Sequence, residues 1–215
     1  MITELKKRIF SSILLISIIC LIIVKGPFIF NFFLMICLVI SLYEWHTMSK
    51  KKKYYYPGII FMSLSFYTTY EIYNFENSNL IFLFILLICI STDLGGYVFG
   101  KFFKGPKLIS ISPNKTYSGV VGSYLFSTLF LTVFFKFTFI YNDIDNKIIT
   151  YLMIIIISSI SQLGDILVSY FKRLSKIKDT GKIIPGHGGL LDRIDGMIFA
   201  YPFSYIILLT DFNFF

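Results

Sequence analysis

Long apolar runs follow one another along almost the whole chain, and the short segments between them hold nearly all of its charge. Runs of Ile, Leu, Phe and Val on this scale leave few folds open. In lipid every backbone N–H and C=O must be satisfied within the chain, and a helix does this for each segment alone. Water is excluded as the solvent by composition: 56% of the residues are hydrophobic and only 15% charged, whereas a soluble domain carries about 25% charge. The reading is therefore an all-α integral membrane protein, a polytopic bundle of about seven transmembrane helices forming a single domain, 1–215. The predicted helices cover Ile9–Val24, Phe28–Tyr43, Pro57–Tyr70, Leu80–Phe99, Tyr117–Tyr141, Ile148–Arg173 and Asp192–Thr210. Several are short for a span of about 20 residues, and aromatic and Lys flanks extend them at the interface.

The formal net charge is +8. Its bases sit in short clusters between apolar runs, which argues against nucleic acid and for cytoplasmic loops beside anionic lipid. Segments 1–8, 44–56, 101–116 and 172–191 are rich in Lys and Arg, while 25–27, 71–79, 142–147 and 211–215 hold just Lys25 and Lys147. By the positive-inside rule this alternation puts the N-terminus in the cytoplasm and the C-terminus on the far side, in a membrane of the bacterial inner type. No small-residue cleavage site follows the first apolar run. Cys20, Cys37 and Cys89 all lie in apolar runs and read as buried thiols.

Polar residues inside such sequence are the candidates for function, because they are costly there. Asp93 lies within the fourth run, just before the Gly96-x-x-x-Gly100 pair. It is either a helix–helix hydrogen-bond partner or an acid facing a polar cavity. The loop 101–116 has four lysines and no acid. It is either an ordinary positive-inside loop or a place where Lys101, Lys107 and Lys115 meet phosphates. Ser158, Ser161, Gln162, Asp165, Ser169 and Lys172 recur at spacings of three and four, a polar stripe along the sixth helix. Asp192 and Asp195 are predicted to share one face of the seventh.

Between these two helices the stretch from Ser169 to Asp195 concentrates acids, bases and glycines. Asp165, Asp192 and Asp195, with no paired His or Cys, suggest an oxygen-donor site for Mg²⁺. Pro185-Gly186-His187-Gly188-Gly189 precedes a helix start and offers backbone N–H groups to an anion. Lys172, Arg173, Lys178 and Arg193 add positive charge. Together these suit phosphoryl or nucleotidyl transfer, and a structural cluster of ion pairs is the competing reading. No Gly-x-x-x-x-Gly-Lys-Ser/Thr loop is present, so the chain is not a P-loop nucleotidase.

The run Ser169-x-Phe171-Lys172-Arg173, four residues, Lys178-Asp179-x-Gly181, then Ile184-Pro185-x-His187-Gly188-Gly189-Leu190-x-Asp192-Arg193-Ile194-Asp195 resembles the signature of phosphatidate cytidylyltransferases. A second region is similar too: Asp93-x-Gly95-Gly96-Tyr97, Gly100-Lys101, Lys107-Leu108 and Ile111-Ser112-Pro113-x-Lys115-Thr116-x-x-Gly119. The resemblance covers about 90–205, the catalytic region, with helices 1–89 alike only in character. It implies transfer of CMP from CTP to phosphatidate, with Asp165 and Asp192 on Mg²⁺, Asp195 close by, and a monovalent cation such as K⁺ beside it. Lys172, Arg173 and Arg193 would hold phosphates, and His187 would orient one or shape the loop. Asp179 joins the catalytic set. Asp93, Lys101, Lys107, Lys115, Ser169, Lys178, Gly188 and Gly189 would contact substrate. Membrane lipids are the expected surroundings, no nucleic acid is expected, and a homodimer is allowed. A CTP-dependent lipid kinase of the polyprenol type and a non-catalytic transporter are the alternatives. The family usually has Trp-Glu where Tyr117-Ser118 stand, and the chain is short for it, which implies missing N-terminal helices.

Overall fold

In a computed structural model, the structure describes residues 25–74, 79–109, 112–137, 147–183 and 188–210. The predicted helix Ile9–Val24 lies outside the described residues, as does the end of the predicted fifth helix. The chain divides into two compact units, Met1–Asn79 with Phe171–Asp195, and Leu80–Tyr170 with Gly196–Phe215.

In the first unit, α1 (Pro27–Ser49) starts with Pro at its first turn, after Gly26 at φ 98°. Proline suits that position because its missing N–H would have no partner there anyway. The helix runs six residues past the predicted end at Tyr43, so Glu44, Trp45 and His46 are helical rather than in a loop. Burial decides this: Glu44 is 2% and Trp45 4% exposed. The Trp45 indole N–H donates to the Tyr55 carbonyl at 3.0 Å, which fastens the tight turn into α2 (Tyr55–Asn74). Gly58 lies so close to the Trp45 ring that a Cβ there would overlap it. At the other end of the pair Phe30 stacks on Tyr73, ring centroids 3.5 Å apart, and the Asn31 and Asn74 amides bond to each other.

In the second unit, α3 (Asn79–Phe103) outruns its predicted end by four residues. The lysine loop that follows is a small antiparallel hairpin of β1 (Lys107–Ile109) and β2 (Ser112–Thr116), pairing Lys107 with Thr116 and Ile109 with Ser112. Then come α4 (Tyr117–Phe137) and α5 (Lys147–Leu174). Thr116 caps α4, its hydroxyl accepting the Gly119 N–H at 3.1 Å. Lipid tails are as apolar as leucine, so small residues and hydrogen bonds must hold such helices together. Gly95 and Gly96 of α3 face Gly119, Gly122 and Ser123 of α4 at backbone contact. The Ser123 hydroxyl donates to the Thr92 carbonyl, and the Thr92 hydroxyl to Ser158, both at 2.8 Å. These buried bonds tie α3, α4 and α5 into one body.

The predicted last helix is interrupted. A short α6 (Leu191–Ile194) gives way to a turn at Asp195–Gly196 before α7 (Met197–Leu208). Gly196 is pressed against Ser161, so no larger residue fits there. By length and apolarity α1, α3, α4 and α5 can each cross a membrane. The all-α membrane class expected from the sequence is the one observed.

Candidate active site

The predicted site residues gather in two groups. The first belongs to the second unit and is built by the hairpin. Strand β2 returns Lys115 to α5, where its ammonium pairs with Asp165 Oδ2 at 2.7 Å and donates to the Gln162 carbonyl at 3.3 Å. Asp165 Oδ1 accepts the Ser169 hydroxyl at 3.3 Å, one turn further along the helix. Both charged groups are half-buried. The base of the hairpin is held by Ser118, whose hydroxyl donates to the Lys104 carbonyl and contacts the Thr116 hydroxyl. Lys104 itself has φ 51°, so this junction is tightly specified. Ser118, at a position where a carboxylate was expected, thus supports the lysine segment. Lys107 is exposed at the start of β1. Lys101 lies over the Tyr97 ring and donates to its hydroxyl at 3.4 Å. Asp93 is on the exposed side of α3, next to the buried Thr92.

The second group belongs to the first unit, to which α5 contributes its last turn. Helix α5 ends in a left-handed residue, Lys176 at φ 59°. The Ile177 N–H returns to the Lys172 carbonyl and the Lys176 N–H to that of Arg173, which satisfies the last carbonyls of the helix. Phe171 packs edge-on against Trp45 and Tyr54, and the Tyr54 hydroxyl bonds Ser175 at 2.7 Å. This aromatic support fixes Lys172. Its ammonium lies 2.8 Å from Asp192 Oδ1, with side chains 11% and 6% exposed. Asp192 Oδ2 accepts the Thr180 N–H at 2.8 Å, the Gly189 N–H at 3.0 Å and the Thr180 hydroxyl at 3.1 Å. Burial opposes ionisation of Asp192, but Lys172 and the two amides outweigh it and hold the carboxyl below its usual value.

A residue that sequence reading placed in a loop completes this group. Glu44, from α1, accepts the Leu190 N–H on Oε1 at 2.9 Å, and on Oε2 the Leu191 N–H at 2.9 Å and the Thr180 hydroxyl at 2.8 Å. The amides of Gly189, Leu190 and Leu191 therefore end on protein carboxylates. The glycines have a steric role here. A Cβ at Gly181 or Gly189 would run into Glu44, and one at Gly188 (φ 90°) would stand 2.8 Å from Asp192 Oδ2 and 3.3 Å from the Asp179 Cβ. The signal that could have found Glu44 is an acid at the end of an apolar run, which needs a partner.

Arg173 at the end of α5, Lys178 and Asp179 on the loop and Arg193 on α6 are exposed, and the Arg173 guanidinium donates to the Ile177 carbonyl at 3.3 Å. Asp195 is 7% exposed at the turn after α6. His187 lies outside the described residues. Among the described residues no three His, Cys, Asp or Glu side chains form a ready-made metal cluster. Asp165 and Asp192 instead each hold a lysine ammonium within hydrogen-bond distance.

Comparison with known proteins bears on what these groups do. The model of the cytidylyltransferase family matches residues 6–77 and 65–211. A phosphatidate cytidylyltransferase of Rickettsia prowazekii is 32% identical over 206 residues, which is 93% of this chain and 90% of that protein. The Bacillus subtilis protein of the same name is 36% identical over 155 residues, 69% of this chain and 55% of the relative. That of Staphylococcus saprophyticus is 41% identical over 131 residues, 59% of this chain. The chain spans about half the length, 48%, of this and the other first staphylococcal relatives it matches.

Proposed function

The chain belongs to the cytidylyltransferase family, and from that membership we propose that it is a phosphatidate cytidylyltransferase, making CDP-diacylglycerol and pyrophosphate from CTP and phosphatidate for phospholipid biosynthesis. The observation that carries the reading is the near-buried Lys172–Asp192 pair and the glycine loop closed on it. It lies inside the stretch that bears the family signature.

A phosphatidate phosphate oxygen attacks the α-phosphorus of CTP. The new P–O bond forms as the bond from the α-phosphorus to the bridging oxygen breaks, and that oxygen leaves with pyrophosphate. The attacking oxygen is already anionic near neutral pH, so no strong base is needed. The difficulty is to bring two polyanions together and in line. The exposed Arg173, Lys178 and Arg193 are the groups assigned to the phosphates, together with Lys101 in the last turn of α3 and Lys107 of the hairpin. Ser169 and Lys115 hold Asp165 in place, as Lys172 holds Asp192.

Mg²⁺ belongs to this proposal. The resemblance assigns it to Asp165, Asp192 and Asp195, and carboxylate oxygens suit a hard divalent cation. Their present partners support the fit, since each of the first two already carries one cationic group at 2.7 or 2.8 Å. When bound, the ion supplies positive charge to the phosphoryl oxygens and the leaving pyrophosphate. A K⁺ ion beside it rests on the family resemblance alone.

The deciding experiment incubates the purified chain with phosphatidate, Mg²⁺ and CTP labelled either in cytidine or in the γ-phosphate. Cytidine label entering the lipid, with release of pyrophosphate, is expected. Lipid carrying γ-label alone would make the protein a CTP-dependent lipid kinase, and no transfer of either would overturn the proposal. We also place the reacting groups on the cytoplasmic side, as the basic segments support. A cysteine placed in segment 101–107 should resist an impermeant thiol reagent in intact cells, and labelling there would reverse the orientation.

A further inference from the structure

The proposed chemistry accounts for Lys172 and Asp192, but not for a second carboxylate that comes from outside the signature and is better buried than either. Glu44 is 2% exposed, and no lysine or arginine is paired with it among the described residues. Its charge is balanced by dipoles: two backbone N–H groups and one hydroxyl, all from the loop 180–191. A carboxylate removed from water costs several kcal/mol unless such donors replace the solvent. An arrangement that costly, built between residues 136 to 147 apart in sequence, is out of proportion to a packing contact that an apolar side chain would make more cheaply.

The pattern of donors shows what the carboxylate does. The Thr180 hydroxyl reaches Glu44 Oε2 at 2.8 Å and Asp192 Oδ2 at 3.1 Å, so one side chain stands between the two carboxylates. The Leu190 and Leu191 amides, taken by Glu44, flank the chain that leads into Asp192. Gly181 and Gly189 leave room for the Glu44 head group and for nothing larger than hydrogen at their own α-carbons. Behind Glu44, Trp45 is clamped between Gly58 and Phe171, and Phe171 directly precedes Lys172. The same turn of α1 thus supports both partners of the Lys172–Asp192 pair, Asp192 through Glu44 and Lys172 through Trp45.

We infer that Glu44 is a positioning residue: its carboxylate fastens the signature loop through Leu190, Leu191 and Thr180, and so sets where Asp192 stands. The link to turnover rests on the proposed cytidylyl transfer, and the link to the loop does not. Gln at position 44 keeps the shape and loses the function, because an amide presents one acceptor and one donor where Glu44 presents two acceptors to three donors. The better of its two orientations keeps the acceptor on Leu191 and Thr180 and turns its NH₂ against the Leu190 N–H.

The test is hydrogen exchange on the full chain in detergent, resolved to single amides, with steady-state kinetics on the same samples. Glu44→Gln should speed exchange at Leu190 by roughly ten- to a hundredfold, with a smaller change at Leu191 and none in segment 59–74 of α2. The turnover number should fall by a similar factor and by more than KM for CTP rises, since the substitution removes positioning and no phosphate-binding side chain. Thr180→Val should be non-additive with it, because both act on one network. Unchanged exchange at Leu190 overturns the inference. So does a uniform loss of protection through α1 and α2, which would make Glu44 a general folding residue, or a loosened loop with wild-type turnover. If the wild-type chain transfers no cytidylyl group, the proposed function fails on its own, and the exchange result still decides whether Glu44 fastens the loop. Glu44→Asp, which keeps the charge on a shorter arm, supplies the same comparison should the Gln variant not fold.

Discussion

Replacing Asp192 with Asn changes one atom in a fully committed hydrogen-bond set, and the cost can be worked from the geometry. Asp192 receives four donors, Lys172 on Oδ1 and three groups on Oδ2. An Asn keeps its carbonyl on the three-donor side, which leaves its NH₂ facing the Lys172 ammonium. A cation whose side chain is only 11% exposed then has no counter-charge, and breaking a buried pair in this way costs about 3 kcal/mol. Lys172→Met is milder, at about 2 kcal/mol, since Asp192 keeps its three other donors. The double variant removes the stranded charge as well, so it should cost about 3 kcal/mol rather than the sum of about 5, a coupling of about 2 kcal/mol. The chain has one tryptophan, Trp45, and it packs on Phe171 beside Lys172. Its fluorescence therefore reports the unfolding of this unit in mixed micelles of rising SDS fraction. The carboxyl of Asp192 is held below its ordinary value in the fold. Its stabilisation is therefore complete above the unfolded pKa of about 3.9 and is lost as pH falls through the folded value. In Mg²⁺-free buffer the wild type should weaken below about pH 4 by more than the Asn variant does. Additive single and double variants, or an Asn variant as stable as wild type, would refute the reasoning.

Gly188→Ala should be among the most damaging small changes. It combines the cost of a left-handed backbone, about 1–2 kcal/mol, with a contact 2.8 Å from Asp192 Oδ2, and faster tryptic cleavage at Lys178 and Lys182 would show the opened loop. Ser118→Glu loses the hydroxyl bond to the Lys104 carbonyl, about 1 kcal/mol. It gains a carboxylate in the first turn of α4, worth about 0.3–1 kcal/mol, so transfer activity should stay within about threefold of wild type. Asp165→Asn should abolish cytidylyl transfer at every Mg²⁺ concentration in a titration, and a near-normal rate with unchanged Mg²⁺ dependence would remove Asp165 from the metal set.

The membrane class was legible because apolar runs of this length have few alternatives, and the ends of α5 were read to within one residue for the same reason. Other boundaries were hidden by contacts distant in sequence. Glu44 to Ser49 read as the start of a polar loop, and only the loop 180–191 and the Tyr55 carbonyl, which satisfy Glu44 and Trp45, make it worth keeping them helical. The hairpin of Lys107–Ile109 and Ser112–Thr116 has no alternation of apolar and polar residues to announce it. The break at Asp195–Gly196 was hidden by the helical spacing of Asp192 and Asp195, which reads as one face of a continuous helix. At the site, sequence reading assigns Lys172 to phosphates and Asp192 to a metal ion, and the structure pairs the two with each other at 2.8 Å. The segment Pro185-Gly186-His187-Gly188-Gly189 reads as a cradle for an anion; of it the structure describes Gly188 and Gly189, where the Gly189 N–H goes to Asp192 and the bare α-carbons make room for Glu44, Asp179 and Asp192. Composition alone cannot distinguish a loop that offers its amides from one that has already used them.

The contact between Glu44 and Leu190 also constrains how the chain can be made. Its two ends are 146 residues apart, and a ribosome adding about 5–20 residues per second needs roughly 7–30 s to cover that distance. During that time α1 has emerged with its acid at the end of an apolar helix and its final donors not yet synthesised. The carboxyl must therefore wait at the wet edge of the bilayer until the last part of the protein arrives. A nascent chain stopped before residue 180 would carry an unmet acid on its first described helix, a mark by which a quality-control protease could tell an unfinished copy from a finished one.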